Sequence, residues 1–484
     1  MDLTALLLSR MQFAFTISFH IIFPAFTIGL AAWLMTLETF GFFTGRPIYR
    51  KLFDFWLRIF AVAFGLGVVS GIVTAFQFGT NWSELSRRSG NIQGGLLAYE
   101  SFSAFMLEAA FFGILIFGRK RVPPVVYLLA TVAISLGTDL SSFWILANNS
   151  WMQHPTGFAM GPKGTFVPVD WLEILTNSVT IVRWVHMILA AYVTTSFCVA
   201  ATGAWYALQG RNPAEARVML RFGLGLAAVL VPLQLVAGHL VGDYVVTHQP
   251  SKITALEGRW HAQQPAGEVL FGWPDPGHQR NDFEVALPPP FGSLIDSMST
   301  TAREPGIADI PEADRPNVFI VFFTFRIMVG LGLVMLALAW VGTFLGWRGR
   351  LATARWLLWP VFLSFPIGFV ATLMGWFTAE VGRQPWVIYG QLRTADAMTP
   401  ALTAGTVAFT LLLFGTIYAV IFLAGTYYIY RTLKRGPEAI DRPAEDTTTN
   451  AKRPLSVPGA SPNAGASRTG RGPGAVRPRT TPAE

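Results

Sequence analysis

The chemically suggestive residues of this 484-residue chain are ionisable or sulfur-bearing side chains set inside long apolar runs. His20 stands in FTISFHIIFPAF, His186 in IVRWVHMILAAY, Met328 in FRIMVGLGL and Glu380 in GWFTAEVGRQPW, while Glu100 and Glu108 share AYESFSAFMLEAAFFG. An ionisable group in lipid costs roughly 2.5–3.5 kcal/mol, so each asks for a compensating role. Imidazole and thioether together are the axial pair of a low-spin haem iron, the soft sulfur favouring the reduced form. A lone histidine or carboxylate leaves the sixth position of the iron open, as oxygen binding requires. Two such ligands in one place and one in each of two others would serve one electron-transfer haem and two open ones. Arg10, Arg183, Arg326 and Arg383 suit the carboxylate tails of a porphyrin. Glu100 and Glu108 rise about 12 Å along one helix and differ by about 80° in direction, so they read as rungs of one polar path.

Each residue also has a plainer reading. Met328 alone is packing, one of 13 methionines. His186 alone is an interfacial histidine bonded to a carbonyl. Glu380 beside Arg383 is a surface ion pair at i, i+3. Cys198 reads as inert packing. His154, His248, His261 and His278 read as solvent-exposed loop residues, and His239 receives no part.

What must position these groups is a membrane. The chain is 52% hydrophobic and 13% charged, with mean hydropathy +0.45, where a soluble domain carries roughly 25% charged residues. Apolar runs of spanning length fall at roughly 13–38, 52–78, 94–117, 124–147, 183–208, 217–246, 317–346, 353–378 and 402–431. They predict an all-α polytopic membrane protein of about nine transmembrane helices. The first run lacks a cleavage site and reads as a span, not a signal peptide. A single cysteine excludes a disulfide framework, a cysteine-held iron–sulfur cluster and a CxxCH-attached haem.

Lysine and arginine concentrate in the odd-numbered connections: Arg46, Arg50 and Lys51; Arg119, Lys120 and Arg121; Arg211 and Arg217; Arg348, Arg350 and Arg355; then Arg431, Lys434 and Arg435. The positive-inside rule puts these in the cytoplasm, with the N-terminus outside and the C-terminus cytoplasmic. His20, His186, Met328 and Glu380 then share the outer half. Residues 1–246 carry spans one to six, 247–316 form an outward-facing loop, 317–432 carry spans seven to nine, and 433–484 read as a disordered basic, proline-rich cytoplasmic tail. The net charge of +8 is this topology and the tail, with no call for nucleic acid.

Three other classes compete. A haem–copper oxidase needs more membrane histidines than His20, His186 and His239. A di-haem cytochrome b needs bis-histidine pairs along shared helices, and none occurs. A haem-free proton-coupled transporter would use His20, Glu100 and Glu108, but its inverted repeats and midplane site do not match polar groups gathered toward one face.

The stretches RMQFAFTISFHIIFPAFTIGLA, GLGVVSGIVTAFQFGTNW, AYESFSAFMLEAAFFG, the loop WILANNSWMQHPTG, FRIMVG and GWFTAEVGRQPW together resemble subunit I of the cytochrome bd quinol oxidases, from about residue 5 to about 432. The resemblance implies a copper-free, bacterial inner-membrane enzyme that oxidises quinol outside and reduces O2 to water with cytoplasmic protons. It would generate a proton motive force without pumping. It implies a low-spin haem b held by His186 and Met328. His20 and Glu380 would each hold one of two high-spin haems, a second haem b and either haem d or a further haem b. Family members differ in which of those two sites houses haem d.

On the same resemblance, Glu100 and Glu108 line the proton route and oxygen-reducing pocket, with Ser141 and Trp376 nearby. Lys252 and Glu257 match quinol-binding positions. Arg326, two residues from Met328, points away from it while its charge favours the reduced haem. A second oxidase subunit is implied, with a small single-helix subunit as a further candidate partner. The outer segment of about 70 residues resembles the short-loop, cyanide-insensitive branch. GHLVGDYVV departs from the family forms, and Ala109 stands where a small hydroxyl often follows the second glutamate.

Overall fold

The computed structural model describes residues 3–437; the tail beyond them lies outside the described residues. In chain order the helices begin with α1 (Leu3–Thr44), α2 (Pro47–Thr80) and α3 (Ser83–Tyr99), which passes through one π-helical turn (Glu100–Phe105) into α4 (Met106–Phe117). Then come α5 (Pro124–Gln153), the hairpin β1 (Phe158–Met160) and β2 (Phe166–Pro168), α6 (Trp171–Thr176), α7 (Ser178–Gln209) and α8 (Pro213–His248). The connection to the next span holds α9 (Pro250–Glu257), the hairpin β3 (Glu268–Asp275) and β4 (Arg280–Leu287), and α10 (Phe291–Ser297). The chain ends with α11 (Val318–Trp347), α12 (Arg355–Leu363), α13 (Ile367–Arg383), the short pair β5 (Trp386–Ile388) and β6 (Leu392–Arg393), and α14 (Ala404–Arg435). Among the described residues eight helices are long and apolar enough to span a bilayer, and α12 with α13 makes a ninth, bent by 41°. The protein is an all-α, multi-pass membrane protein.

Local chemistry sets the ends. Pro47, Pro124 and Pro213 open their helices at the position where a missing N–H costs nothing. Asn177, Asn317 and Thr403 accept the free amides of Thr180, Ile320 and Thr406. Gly210 closes α7 at φ +65°, a left-handed cap that a side chain would strain.

Three expectations are corrected. The run 353–378 is not one straight helix: Pro360 and Pro366 remove amide donors and crowd the preceding carbonyls, so the span breaks between Leu363 and Ile367 and runs on to Arg383. WILANNSWMQHPTG is not a loop, since α5 continues as far as Gln153. The 247–316 segment is itself built, with a helix packed against the bundle and a twisted hairpin.

With no hydrophobic force between helices in lipid, close approach of small residues drives their packing. Buried α7 is the axis. A Cβ on Gly29 of α1 would lie 2.5 Å from the Ala191 carbonyl, one on Gly223 of α8 2.6 Å from the Ser196 carbonyl, and one on Gly368 of α13 2.6 Å from the Thr194 hydroxyl. At the arginine-rich face, the Arg119 guanidinium pairs with Glu38 at 2.7 Å and lies 4.0 Å over the Tyr127 ring. The clash at Gly223 is with main chain and no rotamer relieves it. Gly223→Leu should therefore cost about 1–3 kcal/mol, read as a lower Tm of the detergent-purified protein; an unchanged Tm would contradict this packing.

Candidate functional site

The crossing of α1, α7 and α13 gives a common level, where Gly29 meets Thr195 and Gly368 meets Thr194. Counting 1.5 Å per helical residue, His186 stands about 12 Å from that level, His20 about 13 Å, and Gly375, the contact of Met328, about 10 Å, all toward the same face. Glu380 stands further along α13, at about 18 Å. His20, His186 and Met328 therefore stand at similar depth, and Glu380 lies on the same side but further along its helix.

Three of these residues face a glycine across a helix interface. A Cβ on Gly71 would sit 3.0 Å from His20 Cε1, one on Gly238 3.2 Å from His186 Cε1, and one on Gly375 2.8 Å from Met328 Sδ. The Thr324 and Thr378 hydroxyls, 2.9 Å apart, hold α11 to α13 beside Met328. His20 Nδ1 lies 3.0 Å from Ser70 Oγ, which orients the ring and leaves Nε2 for another partner. His186 Nε2 is 3.2 Å from Gln234 Nε2, and its buried Nδ1 has no partner.

Glu380 is paired with Arg383, as i, i+3 spacing allows, but the pair is buried, with side chains 14% and 5% exposed; the surface reading is corrected. Glu380 Oε1 also accepts from Asn149 Nδ2 at 3.0 Å and Gln153 Nε2 at 3.1 Å. Arg183 donates to Asn149 Oδ1 at 2.6 Å and Ser150 Oγ at 3.0 Å. The Lys252 ammonium donates to Gln153 Oε1 at 2.7 Å. Three basic side chains thus surround one carboxylate out of water. Arg383 Nε and Nη1 are buried donors with no acceptor. Unanswered buried donors beside excess positive charge fit an anionic group such as a porphyrin carboxylate. Burial, then the charge of Arg183, holds the Lys252 pKa well below the ordinary lysine value.

The π-helical turn changes the geometry of Glu100 and Glu108. Eight residues of plain α-helix would separate them by about 80°; one extra residue absorbed in the turn brings them to within about 20° of one face. Both meet α5. Ser141 Oγ donates to Glu100 Oε1 at 3.0 Å, and a Cβ on Gly137 would lie 3.1 Å from Glu108 Cγ. Further along, Asn149 and Gln153 contact Glu380, so α5 presents Gly137, Ser141, Asn149 and Gln153 to Glu108, Glu100 and then Glu380. Trp376 lies one turn before Glu380 on α13.

The remaining residues fall as follows. Arg326 donates to the carbonyls of Leu256 at 2.6 Å and Leu270 at 3.2 Å, and to that of Val269, with its guanidinium 3.5 Å over the Phe322 ring. It ties α11 to the 247–316 segment through main chain. Arg10 is exposed near the start of α1. Lys252 and Glu257 are both buried, at 4% exposure. His154 and His248 are not free loop residues: their rings lie 4.5 Å apart and both touch Tyr244. Burial, then His248, lowers the His154 pKa. Cys198 is buried, as expected. His239 is 3.7 Å from Asp243. Sequence reasoning missed Asn149 and Gln153, and also Asp139, which accepts from Tyr192 Oη at 2.9 Å within the bundle. The signal was present: a carboxylate in LGTDLSS and two amides in ANNSWMQ, inside an apolar span.

The fold and site define a polytopic helical membrane protein with a buried, cation-rich polar centre near one face. The family profile of cytochrome bd terminal oxidase subunit I matches residues 8–437. Cytochrome bd ubiquinol oxidase subunit 1 of Bacillus subtilis is 34% identical, over 90% of this chain and 95% of its own. Cytochrome bd-II ubiquinol oxidase subunit 1 of Escherichia coli is 33% identical, over 90% and 97%. The structure of bd oxidase from Geobacillus thermodenitrificans superposes with a TM-score of 0.82 at 26% identity, covering 90% of this chain and 99% of that one. The chain belongs to the cytochrome bd terminal oxidase subunit I family. It is an oxidoreductase subunit of the respiratory chain, the family implies haem cofactors, and a subunit I has a second subunit as partner.

Gln153 joins Lys252 to Glu380. Gln153→Leu should leave the buried Lys252 donor without its acceptor and Glu380 Oε1 without one donor, while Gln249 keeps its 2.7 Å bond to the main-chain carbonyl of residue 153, at about 1–3 kcal/mol. The check is a fall in Tm of the intact complex; equal Tm values would show the link to be energetically idle.

Proposed function

We propose that this chain is the haem-bearing catalytic subunit of a copper-free quinol oxidase of a bacterial cytoplasmic membrane. Quinol would be oxidised at the outer face and O2 reduced to water with cytoplasmic protons. The observation that carries the reading is the buried excess of positive charge around Glu380, with two Arg383 donors unanswered, on the same side of the bundle as His20, His186 and Met328 and further toward the helix ends. Bound haem supplies a one-electron acceptor and, where its sixth position is open, a place for oxygen.

His186 and Met328 would hold the low-spin haem b. His20 and Glu380 would each hold a high-spin haem, one a second haem b and the other haem d or a further haem b. Arg383, Arg183 and Arg10 would answer porphyrin carboxylates, while Arg326 would act through its charge and its grip on the outer segment. Lys252, kept short of its ordinary proton affinity by burial, would offer the quinol hydroxyl an acceptor, with Glu257 beside it. Glu108 and Glu100, on one face against α5, would relay protons from the arginine-rich side, with Ser141 orienting Glu100 and Trp376 packing beside Glu380. Protons drawn across the bilayer toward a centre near the opposite face generate a potential without pumping, worth about 2.3 kcal/mol per charge per 100 mV. The working enzyme would include the second subunit and a small single-helix subunit.

His186→Ala should remove the low-spin band from the reduced-minus-oxidised spectrum and keep the high-spin bands; equal loss of all bands would point to misfolding. Glu108→Gln should slow quinol-driven oxygen consumption at least tenfold, as general acid–base groups typically do, with haem content retained. Unimpaired turnover would remove Glu108 from the relay. A folded, colourless protein would return the haem-free transporter reading to first place.

A further inference from the structure

Two carboxyl groups of the outer segment stand apart from the haem-ligand candidates. Glu257, the last residue of α9, is 4% exposed and its Oε2 has no partner. Glu268 opens β3 half-buried, and its Oε2 is likewise buried without a partner. Arg326 Nη2 reaches the carbonyl of Glu257 at 3.5 Å as well as that of Val269, so the two backbones that carry these carboxyls lie side by side and Glu257 meets the charge of Glu268 directly.

Among the described residues no hydrogen bond or ion pair joins the neighbouring guanidinium groups to either carboxyl, although Arg259 Nη1 is itself buried without a partner. Arg259 is bound to Asp296 at 2.7 Å, both almost fully buried. Arg326 gives its hydrogens to the carbonyls of Leu256, Val269 and Leu270, and so fixes the two backbone segments that carry the carboxyls without pairing to either. Adjacent carboxyls in a low-dielectric setting resist ionising together, and sharing one proton is the general way such a pair is accommodated. Burial, then the charge of Glu268, raises the Glu257 pKa well above the ordinary carboxylate range, against the longer-range pull of Arg259 and Arg326. Asp296, with Glu304 near it, is the next carboxyl in the cluster, pushed up to about 7 by burial and then by Glu257.

We infer that Glu268 completes a shared-proton carboxyl pair with Glu257, and that this pair, not Glu257 alone, takes the protons that quinol gives up. The inference rests on the proposed function, which supplies the oxidant. Each quinol loses two electrons to ferric haem and two protons. One proton converts the monoanionic pair to two neutral carboxyls. Glu268, the more exposed partner, then returns a proton to the outer water and restores the monoanion. The second proton follows in a second cycle, and the O–H bonds of quinol become the carbonyls of quinone. Glu268 acts through Glu257 and is a positioning residue.

The test uses the intact two-subunit oxidase, with a short-chain ubiquinol as probe and an oxygen electrode across acid and neutral pH. Without its charged neighbour Glu257 becomes a weaker base. Glu268→Gln should therefore move the acidic limb of kcat/KM to lower pH by about one unit and lower kcat several-fold. Glu268→Asp should keep the parent limb. Haem spectra and oxygen consumption driven by a quinol-independent electron donor should match the parent in both variants. A Glu268→Gln profile that superimposes on the parent overturns the pair and leaves the oxidase reading intact. A parent protein lacking haem bands or quinol-driven oxygen consumption overturns the oxidase reading itself. Should Glu268→Gln lose haem, the unmodified enzyme decides by infrared spectroscopy: a protonated-carboxyl band that responds to ubiquinol supports the pair, and its absence overturns it.

Discussion

Placing three basic side chains around a single carboxylate inside a membrane protein is the constraint from which the rest of the structure follows. Charges out of water must be matched by partners and hydrogen bonds, because removing one leaves an uncompensated ion. Around Glu380 the match is made by residues from four helices: Asn149 and Gln153 on α5, Arg183 on α7, Lys252 on α9 and Arg383 on α13. The requirement fixes how deep α5 runs, why α13 reaches Arg383 after a break, and why α9 is drawn against the bundle. It leaves positive charge over, and that surplus is what an anionic cofactor would answer.

The helix that serves this centre also meets Glu100 and Glu108. Along α5, contacts to Glu108, Glu100 and Glu380 come from Gly137, Ser141, Asn149 and Gln153, near a four-residue spacing. Two carboxylates eight residues apart meet one helix because a π-helical turn absorbs the residue that would otherwise rotate one away. Such turns are rare and concentrate at functional positions. The local cost of the poorer helix is offset by bringing both acids to the same neighbour.

The 247–316 segment is joined to the bundle by main-chain contacts more than by charge. Arg326 spends its donors on carbonyls of α9 and β3, so an arginine whose type suggests anion binding works mainly as a clamp. Its position explains how the backbones that carry Glu257 and Glu268 are held side by side. The same economy appears at Gln153, whose amide both donates to Glu380 and accepts from Lys252.

Much of this was legible in the amino-acid order. The apolar runs located every span, because about 20 residues must cross the bilayer whatever the fold. The arginine and lysine clusters marked alternate connections, and His20, His186, Met328 and Glu380 stood out because lipid tolerates polar groups only for a reason. Tertiary structure alone decided which polar groups share a centre. Depth along a span can be counted from sequence, but rotation about the helix axis depends on small-residue contacts such as Gly29 with Ala191 and on the turn at Glu100. For the same reason Glu380 proved buried, Arg326 bonded to carbonyls, and Asn149 and Gln153 central: each outcome depends on which neighbour a helix face meets, and that is fixed only when the helices pack.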